Sequence, residues 1–278
     1  MRQRRATAIL AALLALLAGG CTRVALGIAN GGIAPPDATV TYAPAHGLRL
    51  DVYRPATAEA APVVVFFYGG GWTSGARDDY RFVGRRLSEA GIVAMVADYR
   101  LFPQATFPGF VEDGAAAVAW AHGHAADYGG DPARVFVAGH SAGAQIAALL
   151  ATDPRYLRAQ GLRPRDLAGV IGLSGPYDFV IDDALAPIFG DRARWPEAQP
   201  LAHVDGDEPP FLLVHGDADR RVEARDSRQL AAALQALGEP ATLLMLENAG
   251  HTAPLVALYA PSRDPRVLAA IRAFTGAR

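Results

Sequence analysis

The chain has 278 residues, 51% hydrophobic and 19% charged, with a formal charge of −2, a composition that folds and leaves no nucleic-acid footprint. All 26 basic side chains are Arg, there is no Lys, and Cys21 is the one cysteine. These absences exclude phosphate-loop NTPases and protein kinases, Schiff-base and pyridoxal enzymes, cysteine-built zinc or iron–sulfur centres, and an intrachain disulfide, because each needs a lysine or several thiols.

In chain order the first segment reads as an address. Arg2, Arg4 and Arg5 precede an apolar run over residues 6–18, and Gly19, Gly20 and Cys21 follow. A basic start, a short apolar stretch and small residues at its end form a secretory signal. The run is shorter than the ~20 residues a membrane span needs. Leu17-Ala18-Gly19-Gly20-Cys21 resembles the lipobox of bacterial lipoproteins. That resemblance implies removal of residues 1–20, lipidation of Cys21 and an exported, lipid-anchored cell-envelope protein. A simple cleaved signal, with Cys21 incidental, is the alternative. Residues 21–38, with several Gly and Pro35-Pro36, read as a tether between lipid and domain.

The domain is expected over residues 39–278. Strands are predicted at 40–42, 48–53, 63–68, 92–98, 135–140, 170–173, 211–215 and 242–246. Helices are predicted at 80–90, 111–128, 142–151, 224–237 and 264–274. Continuous apolar strands alternating with helices predict an α/β fold, with a mostly parallel sheet covered on both faces. Residues 176–209, rich in Pro, Asp and aromatics, break the alternation and read as a small cap insertion near the carboxyl edge of the sheet.

The strongest chemical signal is Gly139-His140-Ser141-Ala142-Gly143, between the strand ending at 140 and the helix starting at 142. Strand, sharp turn and helix are what a nucleophile elbow requires, with Ser141 exposed at the sheet edge. A serine alcohol needs a base. Of the seven histidines, His251 follows the last strand and suits that role. His140 is expected to point away from the site, His122 and His124 to lie on a helix face, and His215 to serve the turn at its strand end; His46 and His203 lie elsewhere. Asp219, after the penultimate strand, is preferred as the acid over Asp217 and Glu247, and gives the chain order Ser, acid, His. Tyr68-Gly69-Gly70-Gly71-Trp72 follows another strand, so the amides of Gly70 and Gly71, with that of Ala142, are the expected oxyanion donors.

These residues resemble an α/β-hydrolase of the carboxylesterase and hormone-sensitive-lipase-like group, nearest its bacterial feruloyl-esterase-like and kynurenine-formamidase-like branch, over residues 48–275. Asp98-Tyr99-Arg100-Leu101, Gly130-Asp131-Pro132-Ala133-Arg134-Val135 and Ser174-Gly175-Pro176-Tyr177-Asp178 are further matches. Tyr68 stands where the family usually has His, a side chain that props the oxyanion loop without reacting. The resemblance implies acyl transfer from an ester through an acyl-enzyme on Ser141, with no metal or organic cofactor. Trp72, Leu101, Phe102, Tyr177 and Phe179 fall near the site, and Trp72 and Tyr177 are the expected substrate contacts. A small-molecule ester with a small or aromatic acyl group is the expected substrate. The alternatives are an arylformamidase-type amide hydrolase and a non-catalytic lipoprotein with the hydrolase fold. Nucleic acid is not an expected partner, and contact with membrane is expected only through Cys21.

Overall fold

The apolar runs become the strands of one sheet in a computed structural model that describes residues 26–277. They are β1 (Ala38–Ala43), β2 (Leu48–Tyr53), β3 (Ala61–Phe67), β4 (Val93–Ala97), β5 (Gly130–His140), β6 (Gly169–Leu173), β7 (Phe211–Gly216) and β8 (Ala241–Leu246). Their spatial order is β1-β2-β4-β3-β5-β6-β7-β8. β2 runs antiparallel to both β1 and β4, and from β4 to β8 the strands are parallel. The β-branched and aromatic side chains of β3 and β4 are almost wholly buried, as a sheet covered on both faces demands.

The main covering helices are α1 (Arg81–Glu89), α2 (Gly109–His124), α3 (Ala142–Thr152), α6 (Ala224–Ala236), α7 (Ala253–Tyr259) and α8 (Pro265–Thr275); α4 (Pro154–Arg158) and α5 (Ala186–Phe189) are short. Alternation along β3 divides them. Val64 and Phe66 face Val83 and Leu87 of α1, Leu258 of α7 and Ile271 of α8. On the other face Phe67 meets Gly114 of α2, which in turn lies against Ile146 and Leu150 of α3. α7 is not among the helices expected from the sequence, and it carries Pro254 near its start. That proline sits in the first turn, where its missing N–H has no intrahelical acceptor to lose.

Register brings the working ends together. Phe67 pairs with Gly139, His140 with Leu173, Leu173 with Val214, and Gly216 with Leu246, so five strand ends share one carboxyl edge. The cap, residues 176–209, lies over that edge and is tied to the domain by side chains. Asp226 of α6 accepts from the amides of Tyr177 (2.9 Å) and Asp178 (3.3 Å), and Gln145 Nε2 of α3 donates to the Ala198 carbonyl (2.9 Å).

Two expectations change here. β5 begins at Gly130, five residues before the expected start, because the Gly-Asp-Pro segment joins the sheet beside Ala61 across a register shift. The expected tether is docked from residue 26 onward. Residues 26–30 are helical, and Asn30 donates to the carbonyls of Asp78 and Asp79 (3.2 and 2.8 Å) while accepting from the Phe82 amide (3.1 Å). It thereby occupies one free donor at the start of α1. The leader, Cys21 and the residues up to 25 lie outside the described part of the chain.

Candidate active site

Ser141 is held at φ 54° and ψ −120°, between the end of β5 and the first residue of α3. A non-glycine residue in that region stores roughly 1–3 kcal/mol of strain, kept only where the surroundings force it. They do so here. A Cβ on Gly139 would meet the Gly143 backbone at 2.2 Å, and one on Gly143 would meet the Phe67 carbonyl oxygen at 2.1 Å. The turn is therefore sealed against both β3 and α3, and the Ser141 amide is fixed by the Leu173 carbonyl (2.9 Å). Ala142 is the first residue of α3, where the backbone N–H has no intrahelical acceptor.

His251 arrives from the loop between β8 and α7, and Asp219 from the loop after β7. Backbone bonds join these loops: Asp217 N–H donates to Leu246 O and Ala218 N–H to Ala249 O, both at 3.0 Å. The structure then places His251 Nε2 2.9 Å from Ser141 Oγ, and His251 Nδ1 2.8 Å from Asp219 Oδ2. Asp217 and Glu247, the competing acids, are exposed and outside this chain of bonds. The Asp219 carboxylate is buried, which pushes its pKa up, but donors from His251, Arg221 and Val222 outweigh burial and hold it below the ordinary range. Burial pushes His251 below its ordinary value, against the pull of the Asp219 charge. At neutral pH the arrangement is a neutral imidazole oriented by a carboxylate and accepting from a serine hydroxyl, which is the geometry of a general base beside a nucleophile.

The glycine loop lies directly beside Ser141: a Cβ on Gly69 would stand 3.1 Å from Ser141 Cβ. The Gly70 carbonyl accepts from the Thr73 and Ser74 amides (3.2 and 3.1 Å), closing the loop at φ +144°, and a Cβ there would strike Ser74 O at 1.9 Å. Tyr68 stacks on Tyr99 (centroids 4.6 Å apart) and Tyr80 (5.8 Å), and the hydroxyl of Tyr99 donates to the Tyr68 carbonyl (2.8 Å). Burial keeps the Tyr68 phenol protonated. A stacked phenol thus stands beside the loop, at the position where the resemblance implies an imidazole.

Four expectations are corrected. His140 does not point away: its ring lies 4.9 Å from that of His251, and its Nε2 bonds the His251 carbonyl (3.1 Å). Burial and the neighbouring His251 push the His140 pKa down to about 3, so it is a neutral prop behind the base. His215 is not a turn residue; its Nε2 lies 3.2 Å from Asp219 Oδ2 and its Nδ1 2.7 Å from Ser227 Oγ. Tyr177 is fully buried, with its hydroxyl packed over Gly172 and Gly175, so it supports the site from below and does not line it. Trp72 is only 4% exposed; its indole packs on Phe110, Phe179 and Phe189, and its Nε1 donates to Gln145 Oε1 (3.2 Å). The signal for Trp72 and Tyr177 was proximity in sequence to the site loops, which does not tell on which side of a loop a ring packs.

A mostly parallel eight-stranded sheet with an elbow serine, an acid after β7 and a histidine after β8 defines an α/β-hydrolase. The family described as BD-FAE matches residues 50–234, and the chain belongs to that family. Among curated relatives, Esterase LipQ of Mycobacterium tuberculosis is 32% identical over 251 residues, covering 82% of this chain and 58% of that protein. Isoprenylcysteine alpha-carbonyl methylesterase ICME of Arabidopsis thaliana is 29% identical over 242 residues, covering 77% of this chain and 56% of its own length. The chain thus spans little more than half the length of the curated relatives it matches. Among solved structures, the apo form of esterase 2 from Thermogutta terrifontis superposes with a TM-score of 0.73 at 25% identity, over 85% of this chain and 92% of that one.

Proposed function

We propose that this protein is a serine carboxylic ester hydrolase working through an acyl-enzyme. The observation that carries the reading is the unbroken chain from Ser141 Oγ through His251 to Asp219, with links of 2.9 and 2.8 Å at the carboxyl edge of the sheet. Ser141 attacks the ester carbonyl while His251 Nε2 takes its proton. The developing oxyanion is met by the amides of Gly70, Gly71 and Ala142. His251 then protonates the leaving alcohol, and water releases the acid by the same route. No metal or organic cofactor enters these steps.

The acyl group is small or aromatic. The half-buried Phe179 ring, backed by the buried Trp72 indole and by Phe189, supports an aromatic wall beside the glycine loop. A structure of the Thermogutta esterase with propionate bound, 26% identical and with a TM-score of 0.73, is consistent with a short-acyl site in this architecture. The leader and Cys21 extend the proposal to an exported, lipid-anchored form. The test is a panel of p-nitrophenyl esters from acetate to palmitate, with phenyl acetate and N-formylkynurenine alongside, run on wild type and Ser141→Ala. Turnover highest on short or aromatic acyl esters and abolished in the variant is expected. Cleavage of long-chain esters alone would overturn the substrate class, and N-formylkynurenine outrunning phenyl acetate would replace the ester reading with the amide one.

A further inference from the structure

We propose that His215 is a positioning residue for the acid, so that the triad is the outer part of a longer hydrogen-bonded chain running Ser141, His251, Asp219, His215, Ser227. The proposal rests on the esterase reading of Ser141, His251 and Asp219, and adds to it two residues buried beneath them.

The geometry fixes the proton that faces Asp219. His215 Nε2 lies 3.2 Å from Asp219 Oδ2 and 3.1 Å from the Val222 carbonyl oxygen. A backbone carbonyl can only accept, so Nε2 carries the proton and donates to both. The other ring nitrogen, Nδ1, lies 2.7 Å from the Ser227 hydroxyl on α6, which can donate to it. His215 and Ser227 are fully buried, so water does not compete for these bonds. On the carboxylate, Oδ1 accepts from the amides of Arg221 (2.8 Å) and Val222 (3.1 Å), leaving Oδ2 for His251 Nδ1 and His215 Nε2. Both oxygens are thereby saturated from opposite sides, and the carboxylate has one orientation.

His215 sits on β7 with its backbone inside the sheet, paired with Met245, whereas Asp219 sits on a loop. By holding the Asp219 side chain and the Val222 carbonyl at once, His215 transfers the rigidity of the strand to that loop. It also directs the positive end of an N–H dipole at the oxygen that faces His251. That dipole offsets part of the Asp219 charge at the base, so His251 rests neutral, while the fixed carboxylate keeps its Nδ1–H aligned. The titratable and charged groups around the base are Asp219 and His215 on the acid side, His140 against its ring and Arg221 across the loop.

The test compares wild type, His215→Phe, His215→Gln and Ser227→Ala by steady-state kinetics on p-nitrophenyl acetate from pH 5 to 9, with melting temperature as the folding control. Phe fills the site without a donor, whereas the Gln amide can donate to Asp219 and Val222 and accept from Ser227. The expected result is kcat down roughly 10–100-fold in His215→Phe with KM little changed, the range that one hydrogen bond to a charged group supplies. His215→Gln recovers most of the loss, and Ser227→Ala loses kcat by a smaller factor. The acid limb of the pH profile moves to higher pH in His215→Phe and returns in His215→Gln. A purely structural role would lower the melting temperature without moving that limb. Unchanged kcat and an unmoved limb in His215→Phe overturn the proposal, as does a folded His215→Gln no better than Phe. If His215→Phe does not fold, Ser227→Ala and His215→Gln decide: Ser227→Ala at wild-type kcat, or His215→Gln with the full Phe-sized loss, overturns it. A wild type inactive on every ester would refute the esterase reading itself, a distinct outcome.

Discussion

Replacing Asp219 by Asn keeps shape and volume and removes one charge, so its effect follows from hydrogen-bond direction alone. Oδ1 accepts from two backbone amides and Oδ2 from two imidazoles, so all four contacts of the carboxylate are donors pointing at oxygen. An Asn amide offers one oxygen and one NH2 group. With its oxygen toward Arg221 and Val222, its NH2 faces His251 Nδ1–H and His215 Nε2–H. His215 cannot give up its proton there because Val222 O requires it. His251 relieves the clash by changing tautomer, and its Nε2 then presents a proton to Ser141 and ceases to be a base. The opposite flip leaves two backbone amides facing NH2, at about 1–3 kcal/mol for each unsatisfied group. The backbone-satisfied orientation therefore wins. The expected loss is about 10⁴ in kcat, the size seen when a triad base is held in the wrong tautomer, equivalent to about 5 kcal/mol of barrier. The assay is kcat/KM on p-nitrophenyl acetate against wild type and Ser141→Ala, with circular dichroism to confirm folding. Asp219→Asn retaining more than a tenth of wild-type activity would refute the account of how the base is oriented.

Three further predictions follow from the same structure. Gly143→Ala puts a methyl 2.1 Å from the Phe67 carbonyl oxygen, so β3 and α3 must part; overpacking of about 1–3 kcal/mol lowers the melting temperature by roughly 2–12 °C, with loss of turnover, and a normal melting curve would contradict the packing argument. The buried, depressed His251 stays neutral into mildly acidic solution, so the acid limb of kcat/KM falls below the ordinary histidine value of about 6.5; a limb above it contradicts the balance of burial over the Asp219 charge. His140 titrates near 3 when folded and near the free value when unfolded, so as pH falls below about 6.5 the unfolded chain takes up a proton that the native state refuses. Its contribution to stability is intact above that pH and is lost progressively toward 3; melting temperature between pH 7 and 5 declines more steeply in wild type than in His140→Gln, and equal slopes would contradict it.

Most of the fold, and the three side chains that the structure brings into one hydrogen-bonded chain, could be read from the sequence because they follow from local rules. Ser141 sits between a buried strand and a helix with glycines on either side, and Asp219 and His251 each lie in a turn just past an apolar strand. What could not be read depends on which way a ring points after the chain has folded. His215 and His140 occupy strand ends, and only the packing of α6 and of the loop around His251 makes one a clamp on Asp219 and the other a prop for the base. Tyr177 and Trp72 fell near the site in the chain, but the Tyr177 hydroxyl packs against Gly172 and Gly175, and Phe179 and Phe189 of the cap cover the Trp72 indole. The docking of Asn30 on α1 escaped notice because its partners lie about fifty residues ahead and form no local pattern.

The central claim, that Ser141 is a nucleophile activated by His251, is tested most directly by a fluorophosphonate probe followed by mass spectrometry of the labelled peptide. The account predicts one adduct per chain, on Ser141, and none in Ser141→Ala. A wild type that stays unlabelled while a control esterase reacts, or label that persists in Ser141→Ala, would contradict it.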